Sequence, residues 1–584
     1  MLRHERPAAG RFALRLRSGH VVPPGMRLAT ALACLSLVCA CSSDEEDVVE
    51  APPDRPSYAY PVEQASTSWA SCSLYEGEDD GLAECATVAM PLFWDDPNDG
   101  QTFSVRAKRK LSSEQAEAQL WLLAGGPGQS GTWDMPRTME VLQERYPTLD
   151  VYTLDHRGTG LSGRLGCPDA ESFASPSGTS INRAETAECA EYLLAERGHE
   201  LDAITTTQSA VDVAALIEAT REEGKRVFLS GGSYGTYWVQ RYLQIFPDQA
   251  DGVVLAGIFP ADGTVIWYDE HTNAVAHQFL DLCGQDDVCS SKLGADPWSR
   301  LGSLLDSMAA GHCTGGGITP SLVRTLFAYL LYWSRTNVVV PAAIYRLERC
   351  DSEDRQAIVN LTSYLFGDGG SFDLESYSIL LQHHIQLSEM WNHPDFDGVA
   401  LDSYFDEIDQ QAYVAKSLGP FKLELHETWP IYLDQTWDDG WGESSIPMLM
   451  LQGRLDPATV RREAVRVGEH YTGEHQHYVE FPTAAHGTLG HTPTVDGRDC
   501  GYDLLVAFLE DPTGPLDTAC VERVVPIDFR GTETLAQAVF GTPHLWSNAA
   551  RRTKPEPRSA SSEARALRQL LRSRLRSYTP LDTR

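Results

Sequence analysis

Basic residues are scarce in this chain: 47 Lys and Arg stand against 82 Asp and Glu over 584 residues, a formal net charge of −35. A nucleic-acid binder would show a basic patch able to displace counterions from phosphates, so the acidity argues against that class. Long apolar runs are also lacking. The stretch Leu28 to Val38, which follows Met26-Arg27, falls short of the roughly 20 apolar residues a membrane-spanning helix needs. From Cys72 onward no cysteines form a Cys-x-x-Cys zinc or redox pattern. The Gly125 to Gly128 loop lacks both the Lys-Ser/Thr of a phosphate-binding loop and the Gly-x-Gly-x-x-Gly spacing of a dinucleotide site. What is present, 42% hydrophobic and 22% charged residues, is the composition of a globular protein with a sizeable core.

The N-terminus reads as a targeting segment. A basic n-region and a short apolar run end in Val38-Cys39-Ala40-Cys41-Ser42, which resembles a bacterial lipobox with Cys41 as the lipidation site. The alternative is a plain secretory signal cut near Ala40, leaving a soluble secreted or periplasmic protein. Residues 1 to 25, with Arg3, Arg6, Arg11, Arg15 and Arg17, read as an over-long n-region or an early start codon. Residues 1–41 are therefore assigned to the signal with its lipobox. Residues 42–66, acidic and then Pro-rich, are assigned to a tether.

Ten cysteines remain, in sequence-local pairs, and pairing nearest neighbours gives Cys72 with Cys85, Cys167 with Cys189, Cys283 with Cys289, Cys313 with Cys350, and Cys500 with Cys520. Such a framework implies an oxidising compartment.

Three strand-then-turn signals define a catalytic core. Gln119 to Leu123 ends in Ala124-Gly125-Gly126-Pro127-Gly128-Gln129-Ser130-Gly131, and Val151 to Leu154 ends in Asp155-His156-Arg157-Gly158-Thr159-Gly160-Leu161-Ser162. Arg226 to Ser230 enters Gly231-Gly232-Ser233-Tyr234-Gly235-Thr236, followed by a helix-like stretch from Tyr237 to Phe246. Strand, Gly-x-Ser-x-Gly and helix together present a serine hydroxyl on a tight turn at the top of a sheet. Two later strands deliver Asp456, after Pro447 to Gln452, and His486, after His477 to Phe481. The order Ser233, Asp456, His486 is that of α/β-hydrolase triads. Ser233 is the expected nucleophile, His486 the general base and acid, and Asp456 the group that orients the imidazole. The Tyr234 backbone N–H, with one from Gly125 or Gly126, is the expected oxyanion hole. Asp155 and Arg157 read as a structural pair shaping the neighbouring loop. His383-His384 and His475-x-His477 read as solvent-facing or core-satisfied residues rather than metal ligands. No metal or organic cofactor is implied.

These motifs, Gly125-Gly126-Pro127-Gly128, Asp155-His156-Arg157-Gly158-Thr159-Gly160-x-Ser162 and Gly231 to Thr236, resemble the signature set of the prolyl aminopeptidases and their exported relatives, the tripeptidyl aminopeptidases. The resemblance runs from about residue 67 to 530 and includes the Cys500 and Cys520 segment. It implies an α/β-hydrolase fold: an eight-stranded, mostly parallel sheet with a helical cap inserted before the strand carrying the aspartate. It also implies release of residues or short peptides from free N-termini. The expected domains are a first core part at 67–261, a cap at 262–440, a second core part with the C-terminal Cys pair at 441–530, and a basic tail at 545–584. Within the cap, strand signals fade and helix-like stretches appear at Thr272 to Leu282, Pro320 to Trp333 and Leu374 to Trp391. A substrate ammonium needs a carboxylate partner. Ile385 to Glu389 resembles a family segment with cysteine where Leu387 stands here, which nominates Glu389; the alternative is a solvated cap-helix glutamate. Ala256 stands where relatives often have Asp.

The tail carries ten Lys and Arg against Glu556, Glu563 and Asp582 from Arg551 onward. Leucines 567, 570, 571 and 575 lie at helical spacing, so Ser562 to Ser577 reads as a basic amphipathic helix for anionic lipid or as an extension without a partner. The leading functional expectation is a serine exopeptidase in the cell envelope, lipid-anchored to a membrane, acting on peptides with a free N-terminus. An ester hydrolase using the same triad, and a surface-anchored binding lipoprotein with a silent site, are the alternatives.

Overall fold

The structure, a computed structural model, describes residues 67–547 except 76, 78, 173, 176–178, 180, 367–373, 392–397 and 434–439. The signal, lipobox and tether (1–66), and the basic tail beyond 547, lie outside the described residues.

Nine strands among the described residues form one sheet: β1 (Ala70–Cys72), β2 (Ala83–Pro91), β3 (Thr102–Lys110), β4 (Ala118–Leu123), β5 (Leu149–Leu154), β6 (Arg226–Ser233), β7 (Gly252–Ile258), β8 (Met448–Gly453) and β9 (Gln476–Phe481). Their spatial order is β1-β2-β3-β5-β4-β6-β7-β8-β9. The pairs from β1 through β3 to β5 are antiparallel, and every pair from β5 to β9 is parallel. This is the α/β-hydrolase fold, with one strand more than the expected eight. The extra strand is the three-residue edge β1, in register with β2 through Ala70 and Cys85 and stapled to it by Cys72–Cys85.

Strands β4, β5, β7 and β8 are buried at every residue, because helices cover both faces of a parallel sheet. Side chains still alternate. Trp121 and Leu123 of β4, like Met448 and Met450 of β8, join the core formed with helices Thr206–Thr220 and Tyr234–Ile245. Leu120, Leu122, Leu449 and Leu451 face the opposite way, against helices Pro136–Arg145 and Cys500–Glu510. A register shift between Gly232 and Ser233 ends β6 and starts the turn that carries the serine.

Between β7 and β8 the chain builds a helical layer with its own apolar core, centred on residues such as Phe279, Phe327, Leu330, Ile344 and Leu361. Its helices include Tyr268–Gln285 and Pro320–Leu331, whereas Ile379–Glu389, which starts five residues later than the sequence pattern predicts, packs through Leu380, Leu381, Ile385 and Leu387 into the sheet's core. The cystines pair as Cys72–Cys85, Cys167–Cys189, Cys283–Cys289, Cys313–Cys350 and Cys500–Cys520.

The segment after residue 530 differs from the expected layout. Leu545, assigned by sequence to the head of the basic tail, is fully buried, and Ala536, Val539, Phe540 and Leu545 join the cap core. Buried Arg346 holds them there, donating from Nε to the Leu545 carbonyl at 3.0 Å and pairing with Asp354 at 3.3 Å. This segment is part of the folded body because it supplies the apolar cover for helices Val339–Arg349 and Ser352–Phe366.

Candidate active site

Ser233 sits where β6 meets helix Tyr234–Ile245, with φ 58° and ψ −126°. A non-glycine residue in such a conformation costs on the order of 1–3 kcal/mol and persists only where its surroundings force it. They do so here through two glycines. A Cβ on Gly231 would lie 2.1 Å from the Gly235 carbonyl oxygen, and one on Gly235 would lie 2.4 Å from the Leu123 carbonyl oxygen. The turn therefore closes only with hydrogen at both positions. It also leaves Tyr234 at the start of a helix, where backbone N–H groups lack intrahelical partners and the macrodipole favours negative charge.

The glycine loop after β4 lies against this turn. A Cβ on Gly125 would be 3.0 Å from the Gly232 carbonyl oxygen and 3.2 Å from Ser233 Cβ. The same loop is overlaid by a cap segment: Ser378 N–H donates to the Gly128 carbonyl at 2.8 Å, and Ser130 N–H donates to the Ser376 carbonyl at 3.0 Å. Arg164 clamps that segment further by donating to the Tyr377 carbonyl at 2.9 Å.

Asp456 and His486 leave β8 and β9, as the sequence predicts, and meet. Asp456 Oδ2 lies 2.8 Å from His486 Nδ1, with Asp456 fully buried and His486 nearly so. Asp456 is fixed by the N–H groups of Ala458 and Thr459 at 2.8 and 2.9 Å and by the Thr459 hydroxyl at 2.7 Å. The position next to Gly257 joins this pair to the serine: Ser233 is in register with Ile258, and a Cβ on Gly257 would be 3.5 Å from both His486 Cε1 and Asp456 Oδ2. The cap supplies partners for His486 that the sequence does not reveal. Its N–H donates to the Tyr332 carbonyl at 3.1 Å, and the Tyr332 ring stands edge-on to the imidazole at 4.7 Å. Tyr332 is in turn one of three tyrosine rings, with Tyr268 and Tyr329, around the buried Lys416 ammonium. Burial pushes that ammonium down to about 7.

Asp155 and Arg157 do not pair, contrary to the sequence expectation. Arg157 forms a two-pronged, solvent-free bridge to Asp212, Nε to Oδ2 at 2.7 Å and Nη2 to Oδ1 at 2.8 Å. Asp155 instead accepts from Ser130 Oγ at 2.7 Å and from the N–H groups of Thr132 and Leu161 at 2.9 Å. Burial raises its carboxyl above the ordinary range against the pull of those donors. The residue between them, His156, is buried, which drives its imidazole down to about 4.

Glu389 is not a solvated cap glutamate: its side chain is fully buried. Oε1 accepts from the Thr206 N–H at 2.9 Å, at the start of helix Thr206–Thr220, and from the Tyr432 hydroxyl. Oε2 has no hydrogen-bond partner and lies 4.0 Å from Arg241 Nη2. Thr206, Arg241 and Tyr432 carry no sequence signal, since each gains its meaning only when the cap closes on the sheet. His383 and His384 are core residues, pushed down to about 3 and about 4 by burial, whereas His477 is half-buried. Among the described residues no group of three His, Cys, Asp or Glu is arranged to hold a metal ion. No helix there is long and apolar enough to cross a membrane.

No family model matches the chain. Its curated relatives include tripeptidyl aminopeptidases of Streptomyces lividans and Streptomyces coelicolor, each 23% identical over 479 residues that span 76% of this chain and 84% of the relative. Solved structures it matches include a proline iminopeptidase of Mycobacterium smegmatis, at 12% identity over 73% of this chain and 98% of that one, with a TM-score of 0.33. A carboxyl esterase of Bacillus coagulans matches at 13% identity over 74% and 99%, with a TM-score of 0.31. The chain is thus an α/β hydrolase similar, over three quarters of its length, to tripeptidyl aminopeptidases.

Proposed function

We propose that this protein is a serine exopeptidase that hydrolyses peptides from a free N-terminus, with Ser233, His486 and Asp456 as its triad. The observation that carries the reading is the 2.8 Å contact between Asp456 and His486 beside a strained, glycine-flanked serine. The similarity to tripeptidyl aminopeptidases supports the substrate class.

In this reading Ser233 Oγ attacks the scissile carbonyl while His486 Nε2 takes its proton. Asp456 holds Nδ1–H and stabilises the imidazolium. The carbonyl oxygen becomes an oxyanion received by the Tyr234 N–H and an N–H of Gly125 or Gly126, in the positive field of the helix start. Collapse of the tetrahedral intermediate expels the peptide amine, which takes the proton from His486, and water then frees the acyl-enzyme by the same route. Glu389 receives the substrate ammonium through Oε2, the oxygen left without a hydrogen-bond partner. A buried carboxylate of this kind favours a cation and rejects an acetylated terminus.

A fluorophosphonate probe tests the nucleophile. Labelling of the wild type and none of Ser233→Ala is expected, and labelling at another residue with activity retained in Ser233→Ala contradicts it. Five disulfides fit an exported protein. We propose that Cys41 carries the lipid that anchors it, so Cys41→Ser should move the protein from the membrane to the soluble fraction.

A further inference from the structure

Tyr234 supplies a backbone N–H to the proposed oxyanion hole, but its side chain runs the other way, into a buried chain of hydrogen bonds whose direction can be worked out. His156 Nδ1 lies 2.7 Å from the Arg157 carbonyl oxygen, which can only accept, so Nδ1 carries the hydrogen. Burial keeps the ring neutral, which leaves Nε2 bare. The Tyr234 hydroxyl, 3.0 Å from Nε2, therefore donates to it. Its oxygen is then free to accept from the Thr206 hydroxyl at 2.7 Å. The Thr206 N–H donates to Glu389 Oε1 at 2.9 Å. One path of named contacts thus joins the residue after the nucleophile to the carboxylate under the cap.

We propose that the Tyr234 hydroxyl is a positioning residue for hydrolysis: anchored between His156 and Thr206, it fixes the backbone N–H that receives the oxyanion and ties it to the Glu389 site. The inference rests on the triad reading above. A donor held by its own side chain needs no reorganisation as the oxyanion forms, and that preorganisation is where such donors gain their effect. Removing the anchor leaves the N–H present but less well aimed, so the loss falls on the transition state and spares ground-state binding.

The test is turnover of a free-amine tripeptide anilide by Tyr234→Phe, Thr206→Val and the double variant, with kcat expressed per site titrated by a fluorophosphonate. Tyr234→Phe is expected to lower per-site kcat roughly tenfold with KM held within about twofold, a smaller loss than deleting an oxyanion donor outright. Thr206→Val should lower kcat in the same way, and the double variant should be no worse than Tyr234→Phe alone, because both act through one path. Thr206→Ser, which keeps the hydroxyl, should restore wild-type kcat. Should Tyr234→Phe not fold, Thr206→Val and Thr206→Ser carry the comparison. Unchanged per-site kcat in these variants, or losses that multiply in the double variant, overturns the proposal alone. Persisting turnover in Ser233→Ala overturns the triad reading and this one with it.

Discussion

Arg157 and Asp212 meet through two parallel N–H···O contacts of 2.7 and 2.8 Å, with both side chains excluded from solvent. Arg157 also donates to the carbonyls of Pro91, Leu92 and Ala203, so this one guanidinium pins the end of β2 and the approach to helix Thr206–Thr220 against the loop beside the serine. Asp212→Asn keeps the shape but leaves a buried cation without its counter-charge. It should destabilise the fold by about 3 to 5 kcal/mol, read as a lower denaturation midpoint at unchanged slope.

The Asp456 and His486 pair makes a kinetic prediction. Asp456→Asn should preserve the fold yet lower kcat by roughly 10⁴-fold, since an amide presents the wrong partner to Nδ1 and no negative charge to the imidazolium. Thermal unfolding alongside turnover separates the two effects.

The turn around Ser233 tolerates no side chain at its flanks. Gly235→Ala would drive a methyl to within 2.4 Å of a backbone oxygen that cannot retreat from β4. Loss of fluorophosphonate labelling, or of soluble protein, is the expected outcome, while wild-type labelling would show that the turn is looser than its packing.

Acid should unfold the protein through its buried histidines. His156, His383 and His384 are held neutral by burial, at about 4, 3 and 4. An unfolded histidine binds a proton from about pH 6.5 downward, so between there and pH 4 the unfolded state holds more protons than the folded one. Stability therefore rises with pH across that window and falls on acidification. His383→Leu, which removes a ring packed against Phe421 and Trp429, should flatten the slope in pH-dependent thermal unfolding.

Glu389 divides substrate binding from chemistry. Glu389→Gln should raise KM for free peptides and leave hydrolysis of blocked esters unchanged, and an equal loss on both would remove the carboxylate from amine recognition.

The triad was legible because each member follows a strand whose apolar run is visible in sequence and sits in a turn of recognisable chemistry: Gly231 to Gly235, Arg454 to Asp456, Ala485 to Gly487. Strands β4, β5, β6, β8 and β9 were legible for the same reason, whereas β1, β2, β3 and β7 carry no turn of recognisable chemistry and were not read from the sequence. Partners set by distant contacts were not. Nothing near Arg157 announces Asp212, 55 residues on, and the adjacent Asp155 offers a nearer but wrong candidate. The burial of Glu389 depends on a helix start at Thr206 and on Tyr432, which reach it only across the cap. Leu545 reads as the margin of a basic tail because the helices it covers lie about 200 residues earlier.

Hydrolysis at a free N-terminus is tested by release of a chromogenic amine from paired di- and tripeptide anilides, free or N-acetylated, with Ser233→Ala as the blank. Cleavage confined to the free peptides is the predicted result, and the length of the released product then distinguishes single residues from tripeptides. Equal cleavage of acetylated peptides or simple esters would contradict it and make the protein an ester hydrolase working with the same three residues.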